Sequence, residues 1–388
     1  MINKFRVIQI VTGSRAEYGI LRNLIKKINL SKHFILKLVV TGSHLSEGFG
    51  NTISEIKADK FFIDKKIEMQ IDTNSKVGVI KSIGLGLISL SEYIDESKPD
   101  LIIILGDRYE MLSVAISALI SGVPIAHIHG GEVTKGAYDD SIRHAITKMS
   151  YIHFVAAEKY KRRLIQLGES PSRVFNIGSL GIDSIHKIKF LKKEKLEKEI
   201  NFSFGKKNIL VTYHPTTLGM ISSKEEIKEI IKALNQFEDI SFIFTFPNAD
   251  NSSNEIIKVI KDFCENRRNC IFIKSLGQLK YFSCISYVDC VLGNSSSGII
   301  EVPSFNKATI NIGSRQDGRL RAQSIIDCDV SSKSICEAIE KIYSVEFRKK
   351  IVNTSNPYGN SGALEKLFEV LENFQKPKNI QKEFYDIN

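Results

Sequence analysis

Residues 101–132 read LIIILGDRYEMLSVAISALISGVPIAHIHGGE and predict one complete βαβ unit. The five apolar residues Leu101–Leu105 are typical of a buried strand, and Tyr109–Ile120 has the length and composition of a helix. A Gly/Pro turn follows, after which Pro124–Ile128 resumes the strand pattern. Near-continuous apolar strands joined by helices indicate a parallel sheet that is covered on both faces.

The same alternation of short apolar runs and longer amphipathic segments continues along the chain in two series. It indicates two parallel sheets. The first series also predicts strands at Phe5–Val11, Ile35–Val40 and Ile152–Ala156, and helices at Tyr18–Ile28 and Lys76–Glu96. The second predicts strands at Asn208–Tyr213, Ser241–Phe246, Cys270–Ile273, Tyr287–Leu292 and Ala308–Ile312, and helices at Ser223–Asn235 and Asn254–Cys264.

The chain length favours two domains, because 388 residues, 43% of them hydrophobic, exceed what one ordinary core holds. A Lys/Glu-rich stretch interrupts the alternation between the two series. We therefore expect an α/β protein with two Rossmann-like, doubly wound domains. They would span residues 1–186 and 208–356, joined by a linker at 187–207.

Charge and cysteine content exclude several classes of protein. The net charge of +10 favours anionic ligands such as sugar nucleotides, or reflects a Lys-rich composition. The basic cluster Lys187–Lys198 alternates with glutamates and indicates a solvated helix face, so we expect no nucleic-acid partner. The six cysteines form no CxxC pair and lack His residues at zinc spacing, so we expect no metal site and mostly reduced core thiols.

The longest apolar stretch, Met111–Ile128, contains Ser, Gly and Pro. It predicts a buried helix, a turn and a strand, and not a membrane span. The polar start of the chain, followed by one short strand, is not typical of a secretory leader. We therefore expect a cytoplasmic protein without a membrane partner.

Ligands of parallel α/β sheets bind beyond the carboxyl ends of the strands, so the loops at these ends are the first candidates for a site. After the first strand, Ser14 and Glu17 fit a capping box, and Arg15 places a cation at a helix N-terminus. Asp107 and Arg108 directly follow Leu101–Leu105. The structural alternatives are a capped helix with a surface Arg, and an Asp helix cap with a salt bridge.

The loop after Pro124–Ile128 concentrates ionisable side chains. His129 and Glu132 flank two glycines, which let the backbone approach a ligand closely. Asp139 and Arg143 lie four residues apart and therefore share one face of the next predicted helix.

Two loops of the second series are candidates for binding an anion. His214 follows the strand Asn208–Tyr213. Residues 293–301, GNSSSGIIE, place Ser295, Ser296 and Gly298 at a helix start, where backbone N–H groups can hold phosphate, and Glu301 offers a carboxylate to ribose hydroxyls. The chain has neither a P-loop nor a dinucleotide fingerprint.

Six motifs, in order along nearly the whole chain, together resemble the hydrolysing UDP-N-acetylglucosamine 2-epimerases of bacterial sialic-acid synthesis. They lie at residues 13–19 (GSRAEYG), 106–108 (GDR), 130–132 (GGE), 141–148 (SIRHAITK), 293–296 (GNSS) and 313–316 (GSRQ). The resemblance implies a fold similar to the GT-B glycosyltransferases, with a ligand cleft between two Rossmann-like domains. Residues 357–388 would comprise a helix at about Ser361–Phe374, returning to the first domain, and a polar tail.

The resemblance also implies a role for each matched position. The diphosphate of a UDP-sugar would be held by Arg15, His214, Ser295 and Ser296, with Arg108 and Gly298 in the same set, and the ribose by Glu301. Asp107, Asp139 and Arg143 match catalytic positions. Other relatives have a catalytic Glu where this chain has His129, and here Glu132 follows the glycines. Which of the two transfers a proton therefore stays open.

The implied reaction converts UDP-N-acetylglucosamine and water to UDP and N-acetylmannosamine, by elimination to a glycal and hydration with inversion at C2. It needs proton-transfer groups on both faces of the sugar and no cofactor. The resemblance also implies a homodimer or homotetramer. The alternatives are the same chemistry on UDP-2,4-diacetamido-2,4,6-trideoxyglucose for legionaminic acid, a non-hydrolysing epimerase, a GT-B glycosyltransferase, and a non-catalytic sugar-nucleotide sensor.

Overall fold

The computed structural model describes residues 6–46, 52–71, 75–134, 138–215, 222–247 and 253–387. The described residues form two compact units. The first contains the residues up to Glu132, Asp139–Ser184 and those from Gly359 onward. The second contains Val133–Tyr138 and Ile185–Tyr358.

The first unit is built on a parallel sheet of seven strands in the order β3-β2-β1-β4-β5-β6-β7. The strands are β1 (Arg6–Thr12), β2 (Phe34–Thr41), β3 (Lys65–Ile67), β4 (Leu101–Leu105), β5 (Ile125–Ile128), β6 (Ile152–Val155) and β7 (Val174–Asn176). The helices are α1 (Arg15–Asn29), α2 (Ile53–Ala58), α3 (Lys76–Ser97), α4 (Tyr109–Ile120), α5 (Asp139–Met149), α6 (Glu158–Gln166) and α7 (Leu180–Lys187).

Successive residues of β4 point to opposite faces of this sheet, and each face is covered. Ile103 packs in a cluster with Leu21 and Leu24 of α1. Ile102 and Ile104 pack in another cluster, with side chains of α3 and α4. All five residues of β4 are buried, as predicted for a sheet with helices on both sides.

The second unit has a parallel sheet of six strands in the order β10-β9-β8-β11-β12-β13. These are β8 (Lys207–Thr212), β9 (Ile240–Thr245), β10 (Cys270–Ile273), β11 (Cys290–Gly293), β12 (Ala308–Ile312) and β13 (Ile325–Cys328). The helices are α8 (Lys193–Ile200), α9 (Ser223–Leu234), α10 (Ser253–Glu265), α11 (Gly277–Tyr287), α12 (Ser296–Ile300), α13 (Ser332–Ile342) and α14 (Val345–Ile351). Apolar clusters again cover both faces.

Two sequence-based expectations in the second unit differ from the structure. Tyr287 was predicted to begin a strand but ends α11, and its hydroxyl donates to the Leu191 carbonyl 2.9 Å away. The predicted linker at 187–207 belongs to the second unit, because Leu196 and Ile200 of α8 are buried in its core. The expectation of mostly reduced thiols is confirmed, because four of the six cysteines are free, while Cys264 and Cys270 form a disulfide.

The C-terminal segment belongs to the first unit. Its helix, α15 (Ala363–Asn373), buries Leu364, Leu367 and Leu371 in the same cluster as α1. The tail beyond it was predicted only to be polar. In the structure, Lys382 Nζ donates to Glu169 Oε2 (2.6 Å) and to the Ser150 carbonyl (2.7 Å), so the tail is fixed to the first unit.

α3 is the only helix in the described ranges that is long and apolar enough to cross a membrane, judged by length and composition alone. One third of its most apolar window is buried, and Leu90, Tyr93 and Ile94 pack in the core of the first unit. The stretch Met111–Ile128 forms α4, a turn and β5, which confirms its interpretation.

Candidate active site

The candidate residues of the first unit follow three neighbouring strands. Arg15 comes after β1, Asp107 and Arg108 after β4, and His129 and Glu132 after β5. Because β4 is hydrogen-bonded between β1 and β5 in a parallel sheet, the three loops leave the same edge. The structure therefore brings to one edge of the sheet loops that are far apart in the sequence, from Arg15 to Glu132.

Asp107 is held by an ion pair with Arg143. Arg143 lies on α5, is 3% exposed and donates through Nη2 to Asp107 Oδ2. A buried guanidinium stabilises a carboxylate partner and orients it. Asp139 is the first residue of α5, one helical turn before Arg143, and is partly exposed.

His129 and Glu132 form a buried dyad. The ring Nδ1 of His129 lies 2.6 Å from Glu132 Oε1. When Glu132 is ionised it only accepts hydrogen bonds, so Nδ1–H is then the donor and Nε2 is the ring atom left to exchange a proton. Nε2 is buried and has no hydrogen-bond partner among the described residues. Both residues are candidates from the sequence, but no local pattern indicates that they contact each other.

His129 adopts a left-handed backbone conformation with φ +65°, which is uncommon for a residue other than glycine. Its own N–H donates to the Phe154 carbonyl at 2.9 Å, which ties the residue to β6. Strained backbone of this kind persists where surrounding contacts hold it, and it occurs often at functional sites.

Gly131 is required by packing. Its φ is +76°, and a Cβ there would lie 2.5 Å from Leu164 Cδ1 and 2.7 Å from the Tyr160 carbonyl oxygen. The glycine pair was expected to let a ligand approach the backbone. For Gly131 the close neighbour is α6, which contains Tyr160 and Leu164.

The turn after β1 forms only half of the predicted capping box. Ser14 Oγ accepts from the Glu17 N–H at 3.4 Å. Glu17 does not bond back to Ser14; its Oε2 accepts from the Gly13 N–H at 2.7 Å. Arg15 is therefore the first residue of a helix whose start is fixed at Gly13 and Ser14. Arg108 donates from Nε to Glu110 Oε2 at 3.2 Å.

In the second unit, the candidate residues follow the neighbouring strands β8 and β11. The side chain of Asn294 joins the two loops. Its Oδ1 accepts from the His214 N–H (2.7 Å), and its Nδ2 donates to the His214 carbonyl (2.8 Å). Gly293 precedes it with φ +140°, and a Cβ there would lie 1.9 Å from the Thr212 carbonyl oxygen, so only glycine fits.

The serine-rich segment begins α12 as the sequence predicted. Ser295 is its N-cap, Ser296 its first residue, and Glu301, 7% exposed, ends it. Gly298 lies against β12, where a Cβ would come 2.8 Å from Thr309 Cγ2. The absence of a side chain at Gly298 therefore serves the packing of α12 on the sheet.

Two residues without a predicted role support this loop. Arg315 Nη1 and Gln316 Nε2 both donate to the Asn294 carbonyl, at 3.1 and 2.8 Å. Their motif, GSRQ, was noticed in the sequence, but its contact with Asn294 depends on the adjacency of β11 and β12.

Two parallel-sheet α/β domains place this chain in the fold class of the GT-B glycosyltransferases and related sugar-nucleotide enzymes. Among solved structures, the UDP-GlcNAc 2-epimerase of Neisseria meningitidis bound to UDP-GlcNAc has a TM-score of 0.81 at 19% identity, covering 95% of this chain and 100% of that one. The UGT73P12 glycosyltransferase of Glycyrrhiza uralensis has a TM-score of 0.60 at 11% identity, with coverage of 95% and 96%.

The family model for UDP-N-acetylglucosamine 2-epimerase matches residues 26–372, so the chain belongs to that family. It is 43% identical to the GDP/UDP-N,N'-diacetylbacillosamine 2-epimerase (hydrolyzing) of Campylobacter jejuni, over 98% of this chain and 99% of that protein. It is 41% identical to the polysialic acid biosynthesis protein P7 of Escherichia coli (97% and 96%). It is 36% identical to the UDP-N,N'-diacetylbacillosamine 2-epimerase (hydrolyzing) of Legionella pneumophila (95% and 96%).

Proposed function

We propose that this chain is a hydrolysing 2-epimerase of UDP-activated 2-acetamido sugars, and that its substrate is UDP-N,N'-diacetylbacillosamine. This sugar is the diacetamido-trideoxyglucose considered above as an alternative. The observation that carries the chemistry is the pair of proton-transfer groups in the first unit, Asp107 with Arg143 and His129 with Glu132. Support for the sugar comes from the relatives of 43% and 36% identity, both named for it.

The second candidate substrate is UDP-N-acetylglucosamine, which would yield free N-acetylmannosamine for sialic-acid synthesis. The relative of 41% identity favours it, because that protein is named for polysialic acid biosynthesis. The two sugars differ at C4 and C6. N,N'-diacetylbacillosamine has an acetamido group at C4 and a methyl group as C6, whereas N-acetylglucosamine has a hydroxyl group at C4 and a hydroxymethyl group as C6.

In the proposed reaction, a base removes the C2 proton while the bond between C1 and the diphosphate oxygen breaks. The bonding electrons leave with UDP, and the C2–H electrons form the double bond of a glycal. Water then adds its oxygen to C1 while a proton reaches C2 from the opposite face. The products are UDP and the free 2-epimer, so the balance requires one water and no redox partner.

We assign UDP to the cationic and hydroxyl-bearing loops. Arg15, His214, Ser295 and Ser296 would stabilise the negative charge that develops on the departing diphosphate. Arg108 and Gly298 would complete this set, and Glu301 would accept the ribose hydroxyls. The ordered N-cap of α12 and the Asn294 contacts support this assignment, because they fix the backbone before a ligand arrives.

We assign the chemistry at C2 to four side chains. Asp107, oriented by its ion pair with Arg143, is one proton-transfer group, with Asp139 at the start of α5 assisting. His129 is the other, acting through Nε2, and Glu132 orients its ring through Nδ1. A carboxylate that fixes the tautomer of a catalytic imidazole is a common arrangement.

The product assay distinguishes the candidate substrates and the competing classes of enzyme. We expect UDP-N,N'-diacetylbacillosamine, offered without an acceptor sugar, to yield free UDP and 2,4-diacetamido-2,4,6-trideoxymannose, identified by NMR. Parallel reactions contain UDP-N-acetylglucosamine and the GDP-linked sugar. Faster turnover of UDP-N-acetylglucosamine would select the second candidate, and recovery of only an epimerised nucleotide sugar would contradict hydrolysis.

The dyad assignment predicts unequal effects of two substitutions. His129→Asn removes the proton-transfer atom and should lower kcat by about 10²–10⁴-fold. Glu132→Gln removes only the orienting charge and should cost about 10–100-fold. UDP affinity should be unchanged in both, and the exposed His33→Asn is the matched control. Normal turnover in His129→Asn, with loss in Glu132→Gln, would reverse the two roles.

We further propose that the protein is a homodimer or homotetramer in the cytoplasm. The outer face of α3 supports assembly, because Val77, Ile80 and Ile88 are 60%, 67% and 62% exposed and lie along one stripe. Such an apolar stripe is typical of a surface covered by another chain.

Light scattering tests the assembly. Wild type should have the mass of two or four chains, and Ile80→Lys combined with Ile88→Lys should lower it, because each lysine would be buried at the interface. The control is Leu30→Lys, at an exposed position outside the stripe. A monomeric wild type would refute the proposal.

A further inference from the structure

Two buried glutamates flank Gly13, in the turn that leads from β1 into α1. Glu17 Oε2 accepts from the Gly13 N–H at 2.7 Å, and Glu110 Cβ would lie 3.4 Å from a Cβ on Gly13. We propose that Glu17 is a positioning residue: in its protonated form it fixes the Gly13–Ser14 turn and thereby directs Arg15 toward the substrate diphosphate. That the ligand is a diphosphate rests on the proposed function. The arrangement of Glu17 and Glu110 around Gly13 is observed in the structure and does not depend on that proposal.

The other polar groups of this turn are also fixed. The Gly13 carbonyl accepts from Ser43 Oγ at 3.0 Å, and the Ser14 carbonyl accepts from the Tyr18 N–H at 3.0 Å. Gly42 packs closely against this turn. A Cβ at Gly42 would lie 2.7 Å from both the Gly13 carbonyl oxygen and Glu110 Oε1. The Gly13 N–H of the same turn donates to Glu17 Oε2. The direction of Arg15, two residues later, therefore depends on Glu17.

The surroundings of the pair favour one proton on Glu17. Glu17 is 5% exposed and Glu110 is fully buried. Arg108 Nε and Nη2 lie 3.2 and 3.4 Å from the oxygens of Glu110. Glu17 Oε1, in contrast, is buried without a hydrogen-bond partner in the described part of the chain. Burying a carboxylate oxygen without a partner disfavours its charged form.

The electrostatics agree with this placement. Burial, followed by the charge of Glu110, raises the pKa of Glu17 to about 8, and Asp107 acts in the same direction while Arg108 opposes it. From the β2 side, His44 lies 3.1 Å from Thr12 Oγ1, and burial lowers its pKa to about 4, so it is neutral at pH 7. Glu17 is therefore mostly protonated at pH 7.

The sign of the pH dependence follows from linkage. The pKa of Glu17 rises from 4.5 to about 8 on folding, so the folded state binds this proton more tightly. The resulting stability is fully present below pH 4.5 and is lost as the pH rises toward 8. Ionisation above that pH also adds a negative charge to the helix start that contains Arg15, so an anionic ligand should bind less tightly.

Calorimetric titration with UDP at pH 7 and pH 9 tests the proposal. With a pKa of about 8, about one molecule in ten keeps the proton at pH 9, so the Kd of wild type should rise about tenfold. Glu17→Gln keeps an uncharged acceptor for the Gly13 N–H and should bind equally at both pH values. Glu17→Ala should bind weakly at both.

The control is Glu158→Gln, an exposed glutamate in the first turn of α6, which should follow wild type. Lys382, whose pKa burial lowers to about 8, also titrates in this range but is common to all variants. A tenfold rise in the Kd of Glu17→Gln for UDP between pH 7 and pH 9 would overturn the proposal. An affinity of Glu17→Ala for UDP equal to that of wild type at pH 7 would also overturn it.

Melting temperature separates this proposal from the proposed function. From pH 5 to pH 8, wild type should lose stability relative to Glu17→Gln, with or without ligand. If wild type binds no UDP, the proposed function fails. The melting temperatures of wild type and Glu17→Gln then still decide whether Glu17 carries the proton. Parallel melting profiles of the two proteins would overturn it.

Discussion

The hydrogen-bonded pairing of β4 with β1 on one side and β5 on the other determines where the candidate catalytic side chains of the first unit lie. Ile8 pairs with Leu101 and Leu105 pairs with Ile128, so the three strands end at one edge. Because these strands are parallel and in register, the loops that follow β1, β4 and β5 lie side by side at the carboxyl end of the sheet. A one-residue shift in β4 would exchange Ile103 with its neighbours between the two apolar clusters, and burial on both faces opposes that shift.

The segments that meet at this edge contain ionisable side chains, and three of these are held by a partner. Asp107 has Arg143, His129 has Glu132, and Glu110 has Arg108. In the second unit, the side chain of Asn294 forms hydrogen bonds with the backbone N–H and carbonyl of His214. Buried polar groups that are satisfied before a ligand arrives do not reorganise during the reaction, which is how an active site stabilises developing charge.

The sequence predicts strands well where they are almost entirely apolar: the inner strands β4 and β12 and the edge strand β10 all have the predicted bounds. The edge strands β3, β7 and β13 were missed because they are short and partly exposed, and a pattern of burial is weak in them. The candidate residues were found because they directly follow strands. The partner of Arg315 was not found, because its contact with Asn294 depends on the adjacency of β11 and β12, which no local pattern specifies. Glu17 was expected to bond back to Ser14, and it bonds to Gly13 instead.

The central claim is that the first unit removes the C2 proton and returns another from solvent. Turnover in D₂O, with NMR of the free sugar, tests it most directly. The account predicts one deuterium at C2 of the product in wild type, and no turnover in Asp107→Asn, which keeps the shape of the side chain but loses its basicity. Product that retains the original hydrogen at C2 would contradict the account.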